Sequence, residues 1–213
     1  MTRELTVTTA DEMRELGRRL ASTLTAGDLV ILSGGLGAGK TTLTKGIGDG
    51  LGVRGPITSP TFVIARVHPP ISLASASPTT ASPTVSPTTA APTVSPSTAP
   101  APTASPTTAP TGPRPALVHA DAYRLGGVLE LDDLDLDTDL ASSVTVVEWG
   151  EGLAEGLSAD RLEIAIEAVA VGASDTTDPD DLAGDMPRTV QISSVGQRWE
   201  GIELPLPGLA DRL

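Results

Sequence analysis

The chain has 213 residues, no cysteine and a formal net charge of −13. Missing cysteines exclude a disulfide framework, a thiolate metal site and a cysteine nucleophile. The acidic balance argues against a nucleic-acid coat, which needs clustered Lys and Arg to neutralise phosphate.

Composition is uneven along the chain. The 42 residues from Pro70 to Thr111 hold 11 Thr, 10 Pro, 9 Ala and 8 Ser, with no charged or aromatic side chain. All 14 basic and 27 acidic residues therefore lie in the remainder, which is large enough for one domain with a real core. The amino end, Met1 to Leu5, is polar. No apolar run approaches the roughly 18 residues that span a bilayer, so a soluble, cytoplasmic protein is expected.

In chain order, Leu5 to Val7 reads as a short strand. Thr9-Ala10-Asp11-Glu12 has the form of a capping box, in which Thr9 and Glu12 each satisfy a backbone donor of the other. Met13, Leu16, Leu20 and Leu24 follow at helical spacing, with Gly27 closing the element. Leu29 to Leu32 is a continuous apolar run, the pattern of a strand buried on both faces. A glycine-rich turn and a second helix to about Leu51 come next. Thr61 to Val67 and Ala116 to Asp121 read as strands on either side of the Ser/Thr/Ala/Pro tract. That tract carries no apolar face and no fixed repeat, so a disordered insertion with polyproline II character is expected over 70–113.

Glu130 to Asp139 holds six acids in ten residues and reads as a solvated helix or loop, without the spacing of an EF-hand. Thr145 to Val147, ending in Glu148, is a third core strand. Leu162, Ile164 and Ile166 alternate with polar residues, as do Val190 and Ile192, which predicts a half-exposed terminal pair. Between them 172–187 is acidic and turn-rich, an expected second mobile loop. One domain over 1–213, interrupted at these two places, is the predicted organisation.

Gly34-Gly35-Leu36-Gly37-Ala38-Gly39-Lys40-Thr41 matches G-x-x-x-x-G-K-[ST] in full, after a buried strand and before a helix. Each residue type has a chemical reason. Glycines let the backbone turn so that successive amides form an anion nest, and the helix adds its positive end. Lys40 is suited to β- and γ-phosphate oxygens, and the Thr41 hydroxyl to Mg²⁺. The chain uses twelve Arg but only two Lys, Lys40 and Lys45, so a compact point charge is kept where the loop requires one. The fold class that follows is α/β: a P-loop NTPase-like, mostly parallel sheet flanked by helices, with an antiparallel C-terminal hairpin.

Hydrolysis needs more than a phosphate loop: an acid for the metal, a group that positions water and a contact to the γ-phosphate. Asp121 and Glu148 each end an apolar strand, and acids there face the crevice of a parallel sheet. Thr61, in Ser59-Pro60-Thr61-Phe62, is a candidate γ-phosphate contact from a loop. His119 and His68 read first as packed strand residues, and Trp149 as either core or interface.

Gly37 to Thr42, Ser59-Pro60-Thr61-Phe62, His119-Ala120-Asp121-Ala122-Tyr123-Arg124 and Glu148-Trp149, in that order, resemble the TsaE (YjeE) family. Leu16 to Ala21 and Gly27-Asp28 match it too. These are small bacterial P-loop ATPases of tRNA threonylcarbamoyladenosine synthesis. The resemblance covers nearly everything except the tract and the acidic loop. It implies that Gly37, Ala38, Gly39, Lys40, Thr41 and Thr42 hold the triphosphate, and that Thr41 and Glu148 coordinate Mg²⁺. It further implies that Thr61 sits in a switch-like loop, that Asp121 completes the catalytic acids, and that Trp149 fixes the site or a partner surface.

The activity implied is a Mg²⁺-dependent ATPase, slow without its partners. It would act with TsaD and TsaB in threonylcarbamoyl transfer to adenosine 37 of ANN-decoding tRNAs, meeting the tRNA only through the complex. Ala120 and Ala122 stand where the family usually has bulkier residues, and the tract where it has a short connection. Lengthening that connection to 42 residues costs about 2 kcal/mol, because loop closure scales logarithmically. Two other readings remain: a nucleotide-gated assembly factor in which binding rather than hydrolysis matters, and a small-metabolite kinase, for which no lid or Arg cluster is evident.

Overall fold

A computed structural model describes residues 1–60, 64–71, 114–132, 134, 136, 140–169 and 186–206. The chain forms two units, Met1–Ile71 with Arg114–Leu213, and Ser72–Pro113. The second lies outside the described residues, and with it nearly all of the tract expected to be disordered. Pro70 and Ile71, its first two residues, belong instead to the first unit: Pro70 bridges Val53, and the Ile71 amide donates to Gly52 O at 2.8 Å.

Seven strands form one sheet in the order β1-β7-β6-β2-β5-β4-β3. They are β1 Thr2–Val7, β2 Leu29–Gly34, β3 Ala65–His68, β4 Ala116–Asp121, β5 Ser143–Glu148, β6 Arg161–Ala168 and β7 Arg188–Val195. The middle four, β6, β2, β5 and β4, run parallel, while β1–β7, β7–β6 and β4–β3 pair antiparallel. This is the expected α/β arrangement, mostly parallel at its centre with an antiparallel C-terminal hairpin. Leu29 to Leu32 is buried throughout, as a central strand covered on both faces must be.

Alternation sends side chains to two apolar layers. Val30, Leu32, Leu117, Val144 and Val146 lie in the layer under α1 (Ala10–Ala21) and α2 (Lys40–Leu51). Leu29, Ile31, Val118, Ala120 and Val147 lie in the other, with Leu131 of the short α3 (Val128–Asp132). By the same parity His119, Asp121 and Glu148 belong to the face that α2 covers.

The capping box forms as expected: the Glu12 amide donates to Thr9 Oγ1 at 3.1 Å, and Glu12 Oε2 accepts from the Thr9 amide at 3.3 Å. The helix is shorter than its apolar spacing suggests. The Ser22 and Thr23 hydroxyls turn back onto the carbonyls of Arg19 and Leu20, ending α1 at Ala21 and leaving Leu24 buried in the following turn.

Two strands also differ from expectation. β1 begins at Thr2 because β7 supplies a six-pair ladder that its polar residues do not advertise. β3 begins only at Ala65, since Ile64 has φ +71° and cannot continue a strand. Of the acidic stretch, Glu130 to Asp132 are helical. Of the acidic loop 172–187, only Met186 and Pro187 are among the described residues. No helix there is long and apolar enough to cross a membrane.

Candidate functional site

The glycine-rich loop joins the end of β2 to the start of α2. At Gly34 the backbone has φ +132°, and a Cβ would stand 2.2 Å from the Ile166 carbonyl oxygen, so no other residue fits this exit from the sheet. Ala38 N donates to Gly35 O at 3.2 Å, closing the turn, and Leu43 N to Gly39 O at 2.9 Å starts the helix.

Lys40 is only 5% exposed. Its ammonium folds back on its own loop, donating to Gly34 O at 2.7 Å and Gly35 O at 2.9 Å. It also lies 3.6 Å from the centre of the Trp149 ring, a cation–π contact. Burial pushes the ammonium below its usual pKa, while the charges of Glu148 and Asp121 pull it back up.

Beside it, Thr41 Oγ1 donates to Glu148 Oε2 at 3.0 Å. The second oxygen of that carboxylate, Oε1, is 2.8 Å from His119 Nε2. Asp121 pairs with Glu148 in the β4–β5 register, so the two acids end adjacent parallel strands. Asp121 Oδ2 accepts from Ser59 Oγ at 2.9 Å and Oδ1 from the Tyr123 amide at 3.0 Å. Directly after Glu148 the chain turns sharply: Trp149 has φ +59°, its amide donates to Leu32 O at 2.8 Å, and its ring lies 4.9 Å from that of Tyr123.

These groups surround a cavity of about 410 Å³, within the range of small-molecule sites. Gly37, Ala38, Gly39, Lys40, Thr41 and Thr42 line it together with Asp121 and Glu148. Of the residues singled out from the sequence, Thr61 lies outside the described residues, although Ser59 beside it reaches the cavity. His68 is packed, as expected, at the sheet edge. His119 is buried too but makes a specific bond to Glu148, and Ser59 and Tyr123 hold Asp121. Position carried the missing signal, because His119 sits two residues before Asp121 on one strand and so shares its face.

The donor set suits a hard cation. Among the described residues no three His, Cys, Asp or Glu are grouped to hold a metal unaided. A hydroxyl and a carboxylate oxygen 3.0 Å apart beside the glycine-rich loop instead fit Mg²⁺, which takes few protein oxygens and completes its shell with phosphate and water.

The family model described as threonylcarbamoyl adenosine biosynthesis protein TsaE matches residues 7–75 and 96–174, its break falling inside the Ser/Thr/Ala/Pro tract. A protein of Streptomyces coelicolor named tRNA threonylcarbamoyladenosine biosynthesis protein TsaE is 49% identical over 188 residues, 88% of this chain and 93% of that protein. One of the same name from Mycobacterium tuberculosis is 43% identical over 171 residues, 78% of this chain and 79% of its own. The crystal structure of YdiB from Bacillus subtilis aligns with a TM-score of 0.55 at 22% identity, covering 94% of this chain and 90% of that one. At that identity the likeness is one of fold.

Proposed function

The chain belongs to the TsaE family, and on that premise we propose that it binds ATP with Mg²⁺ and hydrolyses it in support of threonylcarbamoyladenosine formation on tRNA. The observation that carries this is the meeting of Lys40, Thr41, Asp121 and Glu148 at one cavity lined by a glycine-rich loop. A nucleoside triphosphate is the ligand whose charge and length use all four.

The amides from Gly37 to Thr42 donate to the phosphate oxygens, and the start of α2 favours their charge. Lys40 exchanges the carbonyls of Gly34 and Gly35 for β- and γ-oxygens, which neutralise an ammonium that burial otherwise disfavours. Thr41 and Glu148 hold the metal, directly or through water. When bound, Mg²⁺ offsets charge on the β- and γ-phosphates. Asp121, kept in place by Ser59 and the Tyr123 amide, orients the attacking water. Water adds to the γ-phosphorus as its bond to the bridging oxygen breaks, giving ADP and phosphate. Thr61 contacts the γ-phosphate from the loop after Ser59.

Partners of the TsaD and TsaB kind, in the cytoplasm, complete the proposal. A chain of net charge −13 is suited to leave the tRNA to them. The described fold then acts as one ATPase domain, with 72–113 as a dispensable tract.

A second reading, ATP binding as an assembly switch with turnover incidental, is favoured by the aromatic pair at the cavity mouth. Trp149 covers Lys40 and lies tilted against the exposed Tyr123 ring, so releasing the lysine disturbs a surface a partner can feel. Turnover separates the two. With purified partners, Glu148→Ala and Asp121→Ala are expected to lower ATP hydrolysis by roughly 100-fold and to stall tRNA modification after the first round. Multiple rounds at wild-type yield would overturn hydrolysis and leave the switch.

A further inference from the structure

Glu148 has both carboxylate oxygens engaged from different elements: Oε2 by the Thr41 hydroxyl at the start of α2, Oε1 by His119 on β4. A carboxylate only accepts, so the His119 nitrogen facing it must carry the proton, and Nε2–H is the donor. The ring is fully buried, and among the described residues its Nδ1 has no partner. The imidazole thus spends its one polar contact on Glu148. Parity explains the access, since His119 pairs with Val146 in the β4–β5 register and Glu148 lies two residues further on the same face.

We propose that His119 is a positioning residue that occupies Oε1 of Glu148, so that the carboxylate offers only Oε2, beside the Thr41 hydroxyl, to the metal. The inference rests on the nucleotide-and-Mg²⁺ reading above. A histidine that merely fills space is replaced well by an apolar residue of similar length. One that orients a carboxylate is replaced well only by another donor. His119→Gln keeps an N–H near the Nε2 position, and His119→Met removes it.

The measurement is binding of the non-hydrolysable analogue AMP-PNP to the full chain by calorimetry, across a Mg²⁺ series and in EDTA. His119→Met is expected to raise the Mg²⁺ concentration for half-maximal effect by about tenfold or more, the usual consequence of losing a ligand's orienting partner. His119→Gln should recover most of it, and affinities in EDTA should agree within about twofold. Met and Gln variants that both match the wild type, or a Met variant that outperforms Gln, would overturn the role of His119 while leaving nucleotide binding intact. A wild-type chain that binds no AMP-PNP, or binds it without regard to Mg²⁺, would overturn the underlying reading as well.

A second measurement needs no variant at His119. With only two histidines, ¹⁵N spectra of the wild type, assigned with His68→Gln, report which ring nitrogen is protonated. A proton on Nε2 of His119 is expected, and a bare Nε2 would sink the proposal.

Discussion

A second buried imidazole, His68, faces a carbonyl rather than a carboxylate. Its Nδ1 lies 3.4 Å from Arg54 O, and among the described residues Nε2 has no partner. Burial pushes the ring below its ordinary pKa, with the Arg54 carbonyl pulling the other way. The sign follows from linkage. Below about pH 6.5 the unfolded chain takes up a proton that the folded ring refuses. Stability therefore falls as pH drops from 6.5 toward the lowered folded value, and this contribution is constant above 6.5. Urea unfolding between pH 5 and 7.5 should show a steeper acid-side loss for the wild type than for His68→Gln, which keeps a donor for Arg54 but does not titrate. Equal slopes would remove His68 as the cause. At this scale the acids of the site were legible because each ends an apolar strand. The partner of Glu148 was not, since a lone histidine on a strand looks the same whether it packs or orients.

Helices α1 and α2 approach backbone to backbone at Gly17 and Gly46. A Cβ at Gly46 would stand 2.0 Å from the Arg14 carbonyl oxygen, and one at Gly17 would stand 2.4 Å from that of Leu43. Both obstacles are backbone, so neither can swing aside. Two effects compete in Gly46→Ala: helix propensity gains about 1 kcal/mol, whereas overpacking costs typically 1–3 kcal/mol, and more when backbone must shift. Overpacking wins. The variant should unfold at lower urea by a net 1–2 kcal/mol or more, and a stabilised variant would show that the helices can separate at little cost. Gly17 falls inside the Leu16 to Ala21 segment that matched the family, and this contact is a physical reason for it. The helices themselves were readable, the first from its capping box and the spacing of Met13, Leu16 and Leu20, the second from the glycine-rich turn that precedes it. The ladder between β1 and β7 was not, because it joins Thr2 to Ser193 and no local pattern announces a partner so distant in sequence.

On the scale of the whole molecule, α2 runs from the candidate site at its first turn to Gly52, where Ile71 and Arg114 meet. The helix has 12 residues, about 18 Å at 1.5 Å per residue. Its first turn carries Lys40 and Thr41, while its last residue precedes Gly52. At that far end the Ile71 amide bonds Gly52 O, and the Arg114 guanidinium lies against the same glycine. Ile71 and Arg114, the described residues on either side of 72–113, thus meet at one glycine. Replacing 72–113 by a short Gly/Ser link should leave AMP-PNP affinity within about twofold and raise unfolding free energy by no more than about 2 kcal/mol. A loss of nucleotide affinity beyond tenfold would mean that the segment acts on the site. Unchanged nucleotide affinity with weakened capture of TsaD and TsaB homologues would instead give the tract a tethering role. Measuring both on one deletion variant therefore decides whether the insertion is inert, a partner contact or part of the catalytic unit.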